Sequence, residues 1–130
     1  MSESVVLKFA AIVGGIFGLA LVFMPNGLAA MYGAPPMNAT GVYSSMLYGG
    51  TFIGFAAMNW AASSANAAGQ RRYVILGDLV ANFAGLLIAL SRQFTSDAAT
   101  EAGWINVGLF LLFAALFAYL HFWPQGGTRV

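Results

Sequence analysis

The sequence predicts an all-α fold, a transmembrane four-helix bundle with up-and-down topology and both termini in the cytoplasm. Only 7% of the 130 residues are Asp, Glu, Lys or Arg, whereas a soluble domain carries roughly 25%. The sequence contains four apolar runs, each close to the length of about 20 residues that a helix needs to cross a bilayer. Apolar and polar residues do not alternate within the runs, as they would in the strands of a membrane barrel. The runs cover residues 5–23, 42–62, 73–90 and 103–122.

The connections between the runs are short. A Pro-Asn-Gly sequence at 25–27 is typical of a turn, and after it we expect a loop with a short interfacial helix at residues 28–32. Small polar residues at 63–70 form a tight connection, and a charged segment at 91–102 precedes the fourth run. These segments are too short to fold alone, so residues 1–130 are expected to form a single transmembrane domain. The first run is longer than the apolar core of a signal peptide, and we interpret it as a retained span, with cleavage as the alternative.

The basic residues predict the orientation of the bundle. With four spans, both termini and the second connection lie on one side of the membrane, and positive residues favour the cytoplasmic side. The basic residues on that side are Lys8, Arg71, Arg72 and Arg129, whereas the opposite side has Arg92 together with Asp97 and Glu101. Aromatic residues near the ends of the runs fit an interfacial belt. They are Tyr43, Trp60, Tyr73, Trp104 and Trp123.

Small residues recur at intervals of about one helical turn and predict how the helices pack. Lipid tails are as apolar as Leu, so close packing at small residues has to drive helix association. We interpret the rows as packing within the bundle, with dimerisation through one of them as the alternative. The rows are Gly14 and Gly18 in the first span, Gly50, Gly54, Ala57 and Ala61 in the second, Gly77, Ala81 and Gly85 in the third, and Gly108 and Ala115 in the fourth.

Polar residues inside the spans mark a candidate site. Asp78 lies in the third span, where a charged side chain is costly to insert, and Asn82 is four residues further on the same helix face. The predicted topology brings Lys8, Asn59 and His121 to a similar depth. We therefore predict a polar intramembrane cluster of these five residues, with an ion pair between Lys8 and Asp78. A structural latch and a site for protons or lipid headgroups are both open interpretations of the cluster.

The residue inventory argues against several classes of function. The chain has no Cys and one His, so we predict no metal centre and no cofactor. Ser44 and Ser45 lie at the opposite membrane face from His121, which excludes a Ser-His-Asp triad. Too few titratable groups converge for acid–base chemistry, and we predict that the protein is not an enzyme. There is no basic run for nucleic acid and no ring of charges for a channel.

Four segments of the chain resemble those of a known group of proteins. They are FMPNGLAAMYG after the first span, YGGTFIGFAAMNWAA in the second, VILGDLVANFAGLLIAL in the third and GWINVGLFLLFAALFAYLHF in the fourth. Together they resemble small, uncharacterised bacterial membrane proteins near the DUF4345-like and DoxX-like groups, over nearly the whole chain. The resemblance implies a four-helix fold in the bacterial inner membrane and transfers no catalytic residue. Many members of these groups carry a basic residue early in the second span, where this chain has Ser44 or Ser45.

Two functional hypotheses follow. The first is a non-enzymatic membrane subunit that self-associates or accompanies a larger membrane protein, because very little of the chain lies outside the spans. The second is a binder or carrier of a small lipophilic molecule, a quinone or a lipid, at the face of Asp78 and Asn82, where glycines leave room for a cavity between helices. Membrane lipids are expected partners in both cases. A densely packed interior would exclude the second hypothesis.

Overall fold

A computed structural model of the protein describes residues 2–66, 68–95 and 101–123, which fold entirely into helices and their connections. The helices are α1 (Glu3–Phe23), α2 (Pro25–Met31), α3 (Ala39–Ser64), α4 (Ala68–Thr95) and α5 (Gly103–Phe122). Three of them, α1, α4 and α5, are long and apolar enough to cross a membrane. The all-α prediction is confirmed, and these three helices indicate a membrane protein. The predicted orientation also depends on Arg92, Asp97 and Arg129. The described part of the chain does not include the side chain of Arg92 or any part of Asp97 and Arg129.

The remaining long helix, α3, is as long as a span but less apolar. It has 26 residues and no charged side chain, yet it is not among the helices that combine span length with sufficient apolarity. Its polarity comes from hydroxyl and small residues. The Thr51 and Ser63 hydroxyls donate to the backbone oxygens of Leu47 and Trp60, at 3.2 and 2.6 Å, within the same helix. Such bonds satisfy hydroxyl groups without water.

The short helix α2 begins earlier than the sequence predicted. Residues 25–27 were expected to form a turn and residues 28–32 a helix, but the helix already begins at Pro25. A proline in the first helical position loses no hydrogen bond, and its fixed φ suits a helix. After α2 the chain turns at Gly33, whose φ of 74° is rarely adopted by other residues. The Oδ1 atom of Asn26 accepts a hydrogen bond of 2.8 Å from the backbone nitrogen of Met37, which folds the loop back onto α2.

The helix α4 extends beyond the apolar run at both ends. It begins at Ala68 and ends at Thr95, so part of the segment predicted as a charged connection is helical. Near its end, Ser91 and Thr95 donate hydrogen bonds to backbone oxygens of the preceding turn. Hydropathy marks where side chains become polar, whereas the backbone hydrogen bonds continue past that point.

The helices pack as two antiparallel pairs, α1 with α3 and α4 with α5. Gly18 of α1 lies against Gly49 of α3, and Gly85 of α4 lies against the ring of Phe110 of α5. These contacts place Gly18 and Gly85 of the predicted rows inside the pairs. Other glycines of the predicted rows have open space where a side chain would project: Gly50, Gly54, Gly77 and Gly108.

The two pairs meet around a hydrophobic core at one end of the molecule, which we call the closed end. At this end α1 and α4 begin, and α3 and α5 end. Leu7 and Phe117 are fully buried there. The buried residues of this core are Val6, Leu7, Ala62, Ile75, Phe113, Phe117 and Leu120.

Arg71 joins three helices at the closed end. Its Nε atom donates to the backbone oxygen of Ala62 at 3.1 Å, and an Nη2 atom donates to that of Ala65 at 2.5 Å. The last carbonyl groups of a helix have no partner within it, so Arg71 caps the end of α3 from the first turn of α4. Its Nη1 atom also lies 3.9 Å from Oε2 of Glu3 in α1. The sequence pattern indicated a role for Arg71 only in the orientation of the bundle.

Candidate ligand-binding cleft

Away from the closed end, the two helix pairs are separated by a cleft. Its volume is about 380 Å³, within the range of roughly 300–1,000 Å³ that small-molecule sites occupy. Phe113 of α5, which lines the cleft, contacts Phe9 of α1, with ring centroids 5.4 Å apart. Most of the lining is apolar and includes Val13 and Phe17 of α1, Phe52 of α3, and Leu109 and Phe110 of α5.

The cleft opens between α3 and α4. Half of the lining residues on these two helices are exposed, whereas those on α1 and α5 are all buried or half-buried. A molecule would therefore enter from the side of the bundle, between two helices. The exposed lining residues are Tyr48, Thr51 and Phe55 on α3, and Ala81, Ala84 and Ile88 on α4.

A polar pair, Asn59 of α3 and Asp78 of α4, lines the cleft in a buried position. Nδ2 of Asn59 donates a hydrogen bond of 3.2 Å to Oδ1 of Asp78, and the two residues are only 3% and 5% exposed. The amide oxygen of Asn59, Oδ1, and the second carboxylate oxygen of Asp78, Oδ2, have no hydrogen-bond partner in the described part of the chain. Leaving a buried polar atom unpaired costs about 1–3 kcal/mol. Two residues of the cleft lining therefore each keep a buried oxygen without a partner.

Asn82 lies next to this pair, as its spacing from Asp78 predicted. It lines the cleft one turn further along α4, and its Nδ2 atom donates a hydrogen bond of 2.8 Å to the backbone oxygen of Asp78. Its amide nitrogen thus bonds to the backbone and not to the carboxylate. Of the predicted cluster, the structure brings together Asn59, Asp78 and Asn82.

Lys8 does not join these residues. Its side chain is exposed, whereas its neighbours Val6 and Leu7 are in the core. Each residue turns an α-helix by about 100°, so a side chain beside two core residues can point outwards. The predicted ion pair between Lys8 and Asp78 does not form, because the Lys8 side chain points outwards, and the hydrogen-bond partner of Asp78 is Asn59. Among the described residues, the ion pair within 4.0 Å is that of Glu3 and Arg71.

His121 also lies apart from the pair. It borders a separate recess of about 440 Å³ with Gly69, Arg72, Tyr73 and Leu76 near the start of α4. Its Nδ1 atom is buried and has no hydrogen-bond partner among the described residues. His121 is in the last turn of α5, at the closed end, but its side chain lies on a different side of α4 from the cleft.

One hydrogen bond beside the cleft was not predicted from the sequence. The hydroxyl of Tyr32, which follows α2, donates a hydrogen bond of 3.0 Å to Oδ1 of Asn106 on α5, and Asn106 lines the cleft. This bond links the two halves of the molecule far from the closed end. Burial raises the pKa of the Tyr32 hydroxyl above its ordinary value of 10.0. The two partners are 74 positions apart in the chain, so no local pattern in the sequence signals the bond.

Comparisons of the chain with protein-family models, with curated proteins and with solved structures found no match in any of the three. The resemblance to the DUF4345-like and DoxX-like groups therefore stays a prediction. In the described part of the chain, no group of three His, Asp or Glu side chains is placed to hold a metal ion. The cleft and its polar pair are the features from which a function can be argued.

Proposed function

We propose that this protein is a multi-pass membrane protein that binds a small lipophilic molecule, a quinone or a lipid, in the cleft between its helix pairs. The observation that carries this proposal is an apolar cleft lined by Asn59 and Asp78, each of which has a buried, unpaired oxygen. Apolar walls with a few converging polar groups are typical of small-molecule sites. In this proposal Asn59 and Asp78 hold the molecule, and no catalytic step is assigned to them.

The proposal includes four spans, with both termini in the cytoplasm of a bacterium and the bundle in its inner membrane. Two observations support α3 as the fourth span: it has no charged residue, and it packs antiparallel to the apolar helix α1. The aromatic residues of the predicted belt are all exposed near helix ends, where membrane interfaces favour them. With α3 and α4 in the bilayer, the mouth of the cleft faces lipid. A lipophilic molecule can then enter without crossing water.

Photolabelling tests the proposed binding. The purified protein is placed in liposomes with a long-chain alcohol that carries a photoreactive diazirine in its chain. After irradiation, peptide mass spectrometry is expected to find the label concentrated on cleft residues such as Ala84 and Phe110. Uniform labelling of the cleft and of exposed apolar side chains such as Leu111 would overturn the proposal.

A pair of variants makes the test specific. Ala81→Phe adds a ring at the mouth of the cleft and is expected to reduce cleft labelling severalfold. Ala57→Phe places the same ring on an exposed part of α3 that does not line the cleft, and it is expected to leave the labelling unchanged. If cleft labelling were equal in Ala81→Phe and Ala57→Phe, the probe would not be entering through the mouth of the cleft.

A second candidate function is self-association or an accessory role beside a larger membrane protein. It is favoured by one face of α3, where Gly50 and Gly54 have open space at the position that a Cβ atom would take and Ala57 and Ala61 are exposed. Small residues four apart let a second helix approach closely in a membrane.

Native mass spectrometry from a gentle detergent tests this candidate. We expect a dimer or a bound partner that is lost in Gly54→Leu and retained in Gly108→Leu. Gly108 is the control because it lies on α5 and, like Gly54, has open space at the position of a Cβ atom. A monomer without a partner in every detergent and lipid would exclude it.

A further inference from the structure

Resting on the proposed binding in the cleft, we propose that the bound molecule carries a headgroup that donates hydrogen bonds, a hydroxyl or a primary amine, and that this headgroup lies against Asn59 and Asp78. The inference narrows the proposed ligand to a lipid or a quinol, because the carbonyl oxygens of a quinone accept hydrogen bonds and do not donate them. It does not follow from the cleft alone, which would also accept a plain hydrocarbon chain.

The polarity of the unpaired atoms sets the chemistry of the headgroup. Asn59 uses its amide nitrogen on Oδ1 of Asp78, so the atoms left without a partner are two oxygens, Oδ1 of Asn59 and Oδ2 of Asp78. An amide oxygen accepts hydrogen bonds and cannot donate them. An ether or ester oxygen placed opposite Asn59 would leave that acceptor unpaired, whereas a hydroxyl or an ammonium group would satisfy it. A proton on Asp78 would not change this requirement at Asn59.

The other polar lining residues of the cleft are Tyr48, which is exposed at the mouth, and Asn82, Thr51 and Asn106, which set the orientation. Asn82 donates to the backbone of its own helix, and so does Thr51. Asn106 accepts from the hydroxyl of Tyr32. These three lining residues already have partners, whereas Asn59 and Asp78 each keep a buried oxygen without one. A donor headgroup therefore gains most beside Asn59 and Asp78, with its chain lying along the apolar walls.

Three chain-matched probes test the inference: a diazirine alcohol, the corresponding primary amine and the methyl ether of the alcohol. Each is placed with the wild-type protein in liposomes, and cleft labelling is measured by peptide mass spectrometry. One hydrogen bond of ordinary net strength is worth about a threefold to tenfold change in affinity. We expect the alcohol or the amine to label the cleft more strongly than the ether by about this factor.

A double variant shows whether the preference arises at the polar pair. Asn59→Leu combined with Asp78→Leu replaces two bonded polar residues by apolar ones of similar size, a change that proteins often tolerate. It is expected to abolish the preference for donor headgroups while the cleft is still labelled. Asn66→Leu, a change of the same kind at an exposed residue that does not line the cleft, is expected to retain the preference.

The outcomes separate this inference from the proposed function. Equal labelling by alcohol, amine and ether would overturn the inference and leave the proposed binding intact, as when water satisfies the two oxygens. Absence of cleft labelling by every probe would overturn both. Stronger labelling by the amine than by the alcohol supports a cationic headgroup beside Asp78, and the reverse order supports a hydroxyl. The wild-type comparison does not depend on any variant being folded.

Discussion

Gly18 of α1 and Gly49 of α3 pack with their backbones in direct contact. A Cβ atom added to Gly18 would lie 2.9 Å from the backbone oxygen of Gly49, and one added to Gly49 would lie 2.7 Å from that of Gly18. These distances are shorter than van der Waals contact, so a larger residue at either position must push the helices apart. The contact allows α1 and α3 to form one pair, which becomes one wall of the cleft.

Alanine at either glycine is expected to destabilise the protein. We expect Gly18→Ala and Gly49→Ala each to lower the free energy of unfolding by about 1–3 kcal/mol, the usual cost of overpacking. Gly108→Ala is the control, because Gly108 has open space around it and alanine favours a helix. Denaturant unfolding in detergent micelles, followed by circular dichroism, measures all three variants. An equal loss of stability in the control would show that the contact between α1 and α3 is not the cause.

The cap on α3 gives a second prediction. Arg71→Met removes hydrogen bonds to the backbone oxygens of Ala62 and Ala65, and we expect a loss of about 1–2 kcal/mol in the free energy of unfolding, reduced by partial exposure of the side chain. Arg72→Met is the matched control, because the side chain of Arg72 is exposed. The same loss in both variants, measured by the same unfolding assay, would contradict the role assigned to Arg71.

The pKa of Tyr32 predicts how stability depends on pH. Burial raises this pKa in the folded protein above 10.0, so the folded state favours the neutral hydroxyl that donates to Asn106. The contribution is fully present below 10.0 and is lost as the pH rises through the raised pKa. We expect the Tm of the wild type to fall more steeply in this alkaline range than the Tm of Tyr32→Phe. Tyr43→Phe, which changes an exposed tyrosine, should follow the wild type, and a slope shared by all three proteins would refute the link.

The positions along each helix could be predicted from the sequence, but the rotations of the helices could not. Hydropathy placed the long helices, and the spacing of four residues placed Asp78 and Asn82 on one face. Lys8 was expected at the same depth as Asp78, yet α1 turns it outwards because Val6 and Leu7 occupy the core. The rotation of a helix is decided by which side chains its neighbours can accommodate, and hydropathy contains little of that information.

The pairing of the helices also depends on contacts that a sequence pattern does not specify. Gly50 and Gly54 show the same spacing as Gly14 and Gly18, but it is Gly49 that meets Gly18. A shift of one residue turns a helix face by about 100° and leaves Gly50 and Gly54 facing outwards. The cleft is a consequence of this pairing, because α1 with α3 and α4 with α5 pack closely and the two pairs separate beyond the closed end. The sequence could therefore suggest a cleft, from Asp78, Asn82 and the glycine rows, but it could not establish one.

The last prediction concerns α3, on which the four-span topology depends. The chain has no Cys, so single cysteines can be introduced at Ala34, before α3, and at Asn66, after it, both of which are exposed. If α3 crosses the inner membrane in the proposed orientation, a membrane-impermeant maleimide will label Ala34→Cys in cells whose outer membrane is permeable to it, and will label Asn66→Cys only after lysis. Ser2→Cys should behave like Asn66→Cys, because both termini and the connection after α3 share one side. Labelling of Ala34→Cys and Asn66→Cys from the same side would mean that α3 lies along the membrane surface. The edge of the cleft mouth that α3 forms would then not face lipid.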